Sequence, residues 1–266
     1  MKLLLLGDVV GRSGRDAVVT QLPQLRREHG IHLAMVNGDN ASHGFGIKPK
    51  HCEEFFRAGA DVITAGDHVW DQPDIRGYLG QEKRVLRPHN FPASAPGTGI
   101  RIVELAGGAK VLVVHLLGQV FIRDHVDCPF QAIDTLLTQW KLGRDVQAII
   151  VDFHAEATSE KTAMGMFLDG RVSAVVGTHT HIPTSDARVL PKGTAYRTDL
   201  GMCGVYDSVI GFDPEAPLLS FRTKIRKMGP RMTPATGNAQ LGGLIVTVNE
   251  QTGLATKAEA ISPVFG

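Results

Sequence analysis

Residues 2–8 read Lys-Leu-Leu-Leu-Leu-Gly-Asp, an unbroken apolar stretch that stops at a turn, the pattern of a strand buried on both faces. After it, Val18, Leu22 and Leu25 recur at helical spacing and predict a helix over about 14–28, closed by Gly30. Residues 33–39 and 61–68 repeat the design of a strand ending in Gly-Asp, with a helix at 49–60 between them. Further strands are expected at 147–153 and 172–176, and further helices at 129–142 and 157–169. Three stretches read as hairpins: 101–115 turning at Gly107-Gly108, 187–199 around Pro191-Lys192-Gly193, and 241–261 near Gln251-Thr252-Gly253. Residues 224–240 are rich in Gly, Pro, Lys and Arg and read as a surface loop. With no repeat or linker, strands packed in sequence by helices predict a single α/β domain over residues 1–266, with mixed sheets.

The residues that follow the apolar runs change the picture from fold to chemistry. The first strand delivers Asp8, the second Asp39 and Asn40, and the third Asp67 and His68. The strand at 147–153 delivers His154, and the one at 172–176 runs into His179 and His181. In open α/β sheets the C-terminal strand edge is where ligand crevices form. Carboxylates and imidazoles converging there repel or lose hydration unless something compensates them. A cation does so, pairing the carboxylates and taking neutral imidazole as a ligand. At i and i+2 of extended chain, His179 and His181 would point the same way about 7 Å apart. Two bridged metals sit about 3.5–4 Å apart, so one histidine could serve each ion. The reading is a binuclear centre, with Asp39 as the natural bridging carboxylate.

Composition narrows the remaining classes. The chain has 266 residues, 43% hydrophobic and 21% charged, which leaves room for a sizeable core. A net charge of +1 gives no general attraction for nucleic acid or anionic membrane, so a phosphate-bearing ligand needs a local site. The opening MKLLLL is too short for a signal peptide, and no stretch reaches the length needed to span a bilayer. Cys52, Cys128 and Cys203 are scattered without CxxC spacing, which fits a reducing cytoplasm and excludes zinc-finger and disulfide frameworks.

The segments GDVVG, NGDNAS, GDHVWD, VDFHAEATSEK and GTHTHIPTSD, in this order, resemble the calcineurin-type metallophosphoesterases. More narrowly they are similar to the YmdB-type 2′,3′-cyclic-nucleotide 2′-phosphodiesterases, over essentially the whole chain and including VLRPHN, LLGQVF and TDLGMCG. The resemblance implies an α/β/β/α sandwich with mixed central sheets. It places Asp8, Asn40 and His181 on a first metal, Asp39 between both metals, and Asp67, His154 and His179 on the second. His68 is implied as a free imidazole that donates a proton. Iron is the metal implied, with manganese as the alternative; imidazole and carboxylate donors suit either. A homo-oligomer is also implied.

The activity implied is hydrolysis of 2′,3′-cyclic nucleotides to 3′-nucleotides. In the mechanism implied, two metals held by these residues would supply a hydroxide for attack on phosphorus, and His68 would protonate the departing 2′ oxygen. RNA ends carrying the same cyclic group are a further substrate form. Two other readings stand beside this one: a metal-dependent phosphatase or phosphodiesterase of another substrate, and a metal-stabilised cyclic-nucleotide sensor without turnover. The chain departs from the family pattern at Asp39, where glutamate is common, and at Asp67, where asparagine is common. Val10 stands where the wider superfamily carries a histidine, as in the narrower family, and Asn40 compensates. The extra charge of Asp67 is expected to tighten cation binding and damp Lewis acidity. Around the centre, Glu156, Thr158 and Ser159 could orient ligands or cap the following helix, with Ser159 a plausible N-cap. Asn90 and Asp199 could approach the cleft, and Phe45 or Trp70 could stack on a base. His115 ends an apolar strand as the ligand candidates do.

Overall fold

The apolar runs form strands whose alternate side chains enter different cores. On the first strand Leu3 and Leu5 face one cluster while Leu4 and Leu6 face another, all fully buried. This is the period-two geometry of an extended chain covered on both faces. In the computed structural model, which describes residues 1–225 and 229–264, two sheets are stacked and each carries helices on its outer side. Residues 226–228 of the expected surface loop lie outside the described residues.

The first sheet begins with β1 (Lys2–Val9), β2 (Leu33–Asn37), β3 (Val62–Thr64) and β4 (Val85–Leu86), all parallel neighbours. The second contains β5 (Ile100–Glu104), β6 (Lys110–Leu117), β7 (Ala148–His154), β8 (Ala174–Thr178), β9 (Arg188–Val189) and β10 (Ala195–Arg197), in spatial order β5-β6-β7-β8-β10-β9. The chain then returns to the first sheet through β11 (Met202–Val205), β12 (Ala239–Gln240), β13 (Gly243–Val248) and β14 (Ala255–Ile261). Beside β1, β11 pairs in parallel with the Asp8 end and β13 pairs antiparallel with Lys2–Leu6. Both sheets are therefore mixed, and each of the three expected hairpins forms: β5–β6, β9–β10 and β13–β14.

Helices α1 (Gly11–His29), α2 (Pro49–Ala58) and α3 (Ile75–Gln81) cover the outer face of the first sheet through Val18, Leu22, Phe55 and Leu79. Helices α4 (Pro129–Gln139) and α5 (Thr158–Leu168) cover the second through Ile133, Leu137, Met164 and Leu168. A sixth helix, α6 (Glu215–Thr223), follows β11. Between the sheets, Leu3, Leu5 and Met35 meet Val111, Val113, Ile150 and Val176. Two expectations change in detail. The third strand is only Val62–Thr64, because the chain turns at once to present Asp67. Helix α5 starts at Thr158 with Ala157 at its cap, so Ser159 lies inside the helix and does not cap it.

Helix α2 supplies a pH-sensitive element. His51 is 3% exposed and its Nδ1 lies 2.8 Å from the Ser42 hydroxyl. Burial, aided by the charges of Arg15, Lys50 and Lys48, pushes its pKa down from 6.5 to about 3. The unfolded chain then binds this proton more tightly, so acid favours unfolding as pH falls from 6.5 towards 3. His51→Gln is expected to remove that term. The difference in unfolding free energy between wild type and variant should shift by roughly 1.4 kcal/mol per pH unit inside the window, measured by urea denaturation at successive pH values.

Candidate metal centre

The C-terminal ends of β1, β2, β3, β7 and β8 lie at one edge of the two sheets, so candidate residues distant in sequence meet. Asp8 is the penultimate residue of β1, the turn after β2 presents Asp39 and Asn40, and the loop after β3 presents Asp67 and His68. Gly66 makes the close approach possible: a Cβ there would stand 2.3 Å from His154 Nε2. His154 is the last residue of β7, and His179 and His181 follow β8.

His154 is at the middle of the group. Its Nε2 lies 3.0 Å from Asp67 Oδ1, 3.4 Å from Asp39 Oδ2 and 3.1 Å from His179 Nδ1, while its Nδ1 lies 3.7 Å from Asp8 Oδ1. His179 Nδ1 is also 3.3 Å from Asp67 Oδ1. Three sets of donors each fall within 4.8 Å of one another: Asp67 with His154 and His179, Asp8 with Asp39 and His154, and Asp39 with Asp67 and His68. His181 and Asn40 form a separate arm, with His181 Nε2 3.1 Å from Asn40 Oδ1. The division into two ligand sets expected from the sequence is thus blurred, since His154 touches carboxylates from both.

The donor set fits a cation. Asp8 Oδ1 and Asp39 Oδ2 are buried carboxylate oxygens without a hydrogen-bond donor, an arrangement that otherwise costs several kcal/mol. Burial raises the pKa of Asp8, opposed by the charges of His181 and His154. Burial would also raise Asp67, but hydrogen bonds from His154 and His179 outweigh it and hold this carboxyl below the ordinary range. For His154, burial acts downward, and Asp39, Asp67 and Asp8 overcome it, so the imidazole is driven well above 6.5. These groups compensate one another's charge, as a bound metal would.

His68 sits at the open side, 27% exposed at the side chain. Its backbone N–H donates to Asp39 Oδ1 at 3.1 Å, its Nδ1 lies 2.8 Å from Asp71 Oδ2, and its Nε2 is 4.0 Å from Asp67 Oδ2. Burial lowers its pKa, but Asp39, Asp67 and the Asp71 hydrogen bond prevail and raise it. Phe45 packs edge-on against the His68 ring at 5.1 Å between centroids. Trp70 packs against the first core and edge-on against Phe91.

The segment between His179 and His181 departs from the extended form expected. Both histidines have left-handed backbones, with φ of 100° and 67°. Asp199 braces the residue between them: its Oδ2 accepts both the Thr180 N–H at 3.2 Å and the Thr180 hydroxyl at 2.7 Å. The same oxygen pairs with Lys161 Nζ at 2.7 Å, and both side chains are 1% exposed. The two rings diverge. His179 turns to His154 and Glu156, whose Oε2 is 3.1 Å from His179 Nε2, and His181 turns to Asn40 and the Ile210 carbonyl, 2.8 Å from its Nδ1. Sequence reasoning gave Lys161 no role; a lysine on the inner face of α5 was the only signal. Asn90 binds backbone at Leu117 and Asp127, and His115 lies inside β6 on Asp152, not at the centre.

A model of the YmdB-like protein family matches residues 4–261. The chain belongs to this family. A relative from Bacillus subtilis (strain 168), named 2′,3′-cyclic-nucleotide 2′-phosphodiesterase, is 43% identical over 261 residues, covering 98% of this chain and 96% of its own. A crystal structure of a hypothetical protein from Thermus thermophilus superposes with a TM-score of 0.89 at 38% identity, covering 98% of each chain. A phosphatase from Mycoplasma pneumoniae gives a TM-score of 0.90 at 38% identity, covering 98% of this chain and 92% of its own. The fold is the α/β/β/α metallophosphoesterase sandwich, and the enzyme class follows: the chain is a hydrolase of phosphoric esters.

Removing one partner of the buried Lys161–Asp199 pair leaves an uncompensated charge. Lys161→Met is expected to destabilise the protein by about 3–5 kcal/mol. The double variant Lys161→Met with Asp199→Asn should recover part of that loss, read from guanidinium unfolding midpoints.

Proposed function

We propose that this enzyme hydrolyses 2′,3′-cyclic nucleotides at the 2′ ester, releasing 3′-nucleotides, with His68 as the proton donor. The observation that carries the reading is the gathering of Asp8, Asp39, Asp67, His154 and His179 around two donor-less buried carboxylate oxygens. Asn40 and His181 complete the proposed ligand set from the adjoining arm. Two cations, iron or alternatively manganese, would neutralise the phosphoryl oxygens and lower the pKa of a shared water.

The chain's own residues then have distinct work. The proposed ligands fix where a phosphoryl group can lie. Asp71 holds His68 by Nδ1, which leaves Nε2 on the side of Asp67. The carboxylates around it favour the protonated imidazole, the form that would donate to a departing alkoxide. The name of the Bacillus subtilis relative supports the cyclic-nucleotide substrate. An RNA end bearing the same cyclic group offers the same bond and is a second substrate form. The reading extends to a cytoplasmic homo-oligomer acting on soluble substrate, and no helix of the described residues is long and apolar enough to cross a membrane.

Elemental analysis is expected to find two metal ions per chain in wild type and fewer in Asp39→Asn. In a panel of phosphate esters assayed with iron or manganese, 2′,3′-cyclic substrates should yield 3′-nucleotide; strong preference for a simple monoester would overturn the substrate assignment. His68→Ala should lower kcat by roughly 10²–10⁴-fold while metal content is unchanged. Full turnover in that variant would remove His68 from the role, and no turnover in metal-loaded wild type would favour a sensor.

A further inference from the structure

Below the centre, a polar plug interrupts the apolar interior between the sheets. Asn37 and Thr64 come from the first sheet, Asp152 and Thr178 from the second, and all four are fully buried. The Thr64 hydroxyl donates to Asp152 Oδ2 at 2.6 Å, and Asn37 Nδ2 donates to the same oxygen at 3.2 Å. His115 Nδ1 lies 3.2 Å from it as well. The Thr178 hydroxyl donates to Asp152 Oδ1 at 2.8 Å, accepts from Asn37 Nδ2 at 3.2 Å, and lies 2.9 Å from His154 Nδ1. Asn37 Oδ1 in turn accepts the Asp39 backbone N–H at 3.0 Å.

Hydrogen arithmetic decides the direction of the remaining bond. A threonine hydroxyl has one proton, and an ionised carboxylate only accepts. Asp152 is surrounded by donors: Oδ2 faces the Thr64 hydroxyl, Asn37 Nδ2 and His115 Nδ1, and Oδ1 faces the Thr178 hydroxyl, so both oxygens are placed to accept. If Thr178 gave its proton to His154, a hydroxyl lone pair would face the Asp152 carboxylate at 2.8 Å. The proton therefore goes to Asp152, and His154 Nδ1 must carry its own hydrogen and donate to Thr178. That leaves Nε2 as the nitrogen turned toward Asp39, Asp67 and His179.

We propose that Thr178 and Asp152 act as a positioning pair that sets the tautomer of His154 and aims its Nε2 at the metal, with Asn37 tying the same plug to Asp39. The proposal rests on the reading of His154 as a metal ligand. Partners behind metal-bound histidines commonly alter metal affinity by 10–100-fold when removed. Thr64 offers a matched control, since it bonds the same carboxylate but makes no hydrogen bond to His154.

The experiment is competition for manganese between a chelator and purified protein, with zinc-loaded protein examined by nuclear magnetic resonance. Thr178→Val is expected to weaken manganese binding by about 10–100-fold and to expose the His154 Nδ1 proton to rapid exchange. Thr178→Ser should restore both. Thr64→Val should unfold at a lower temperature and keep its manganese affinity. Wild-type affinity in Thr178→Val, or an equal loss in Thr64→Val, would overturn the proposal. Unchanged manganese binding in His154→Ala would instead strike the reading of His154 as a ligand. If the valine variant does not fold, Thr178→Cys carries the same test, because a thiol is a weak hydrogen-bonding group.

Discussion

Carboxylates held close together inside a protein repel one another and lose their hydration, and this fold is arranged to hold Asp8, Asp39 and Asp67 together despite that cost. Neither hydrophobic packing nor sheet geometry explains the concentration. Imidazoles from His154 and His179 meet the same oxygens, and two carboxylate oxygens are left with no donor at all. A cation is the chemical species that makes all of these contacts favourable together. Gly66 belongs to the same constraint, since any side chain there would collide with His154.

The two-sheet architecture is what lets the constraint be met. Asp8, Asp39 and Asp67 come from the first sheet, and His154, His179 and His181 from the second, so the centre closes only when the sheets are stacked in register. Two buried polar connections flank the centre, and one of them spans the sheets. One is the Asn37, Thr64, Asp152 and Thr178 group, which crosses between the sheets. The other is Lys161 with Asp199, which braces Thr180 between the two histidines. Apolar packing supplies adhesion between the sheets but little discrimination among sliding positions. The hydrogen bonds that cross between the sheets supply that discrimination.

The chain pattern made the sandwich and the candidate ligands readable for a physical reason. Strands buried on both faces read as continuous apolar runs, and polar residues that end such runs stand out, as Asp8, Asp39, Asp67 and His154 do. Residues whose role depends on a distant partner were not readable in the same way. Asp152 stands inside the run Val151-Asp152-Phe153, and a charge within a buried strand was a signal, but its partners lie 26 to 115 positions away. The coiled backbone at His179 and His181 was hidden because alternation in a local window predicts extension, while Asp199 braces Thr180 from outside that window. Ser159 shows the limit of local capping chemistry: the helix begins one residue earlier, where Thr158 follows the close of β7.

The centre is unequal in its access to water. Asp8, Asp39 and His154 are at most 1% exposed at the side chain, whereas Asp67, His68 and His179 are 21–27% exposed. Under the proposed two-ion reading, water would reach an ion beside Asp67 more readily than one beside Asp8. Brief dialysis against a chelator would then yield half-loaded protein, and refilling with a second element would give a mixed pair whose order of assembly is written by the depth of each seat.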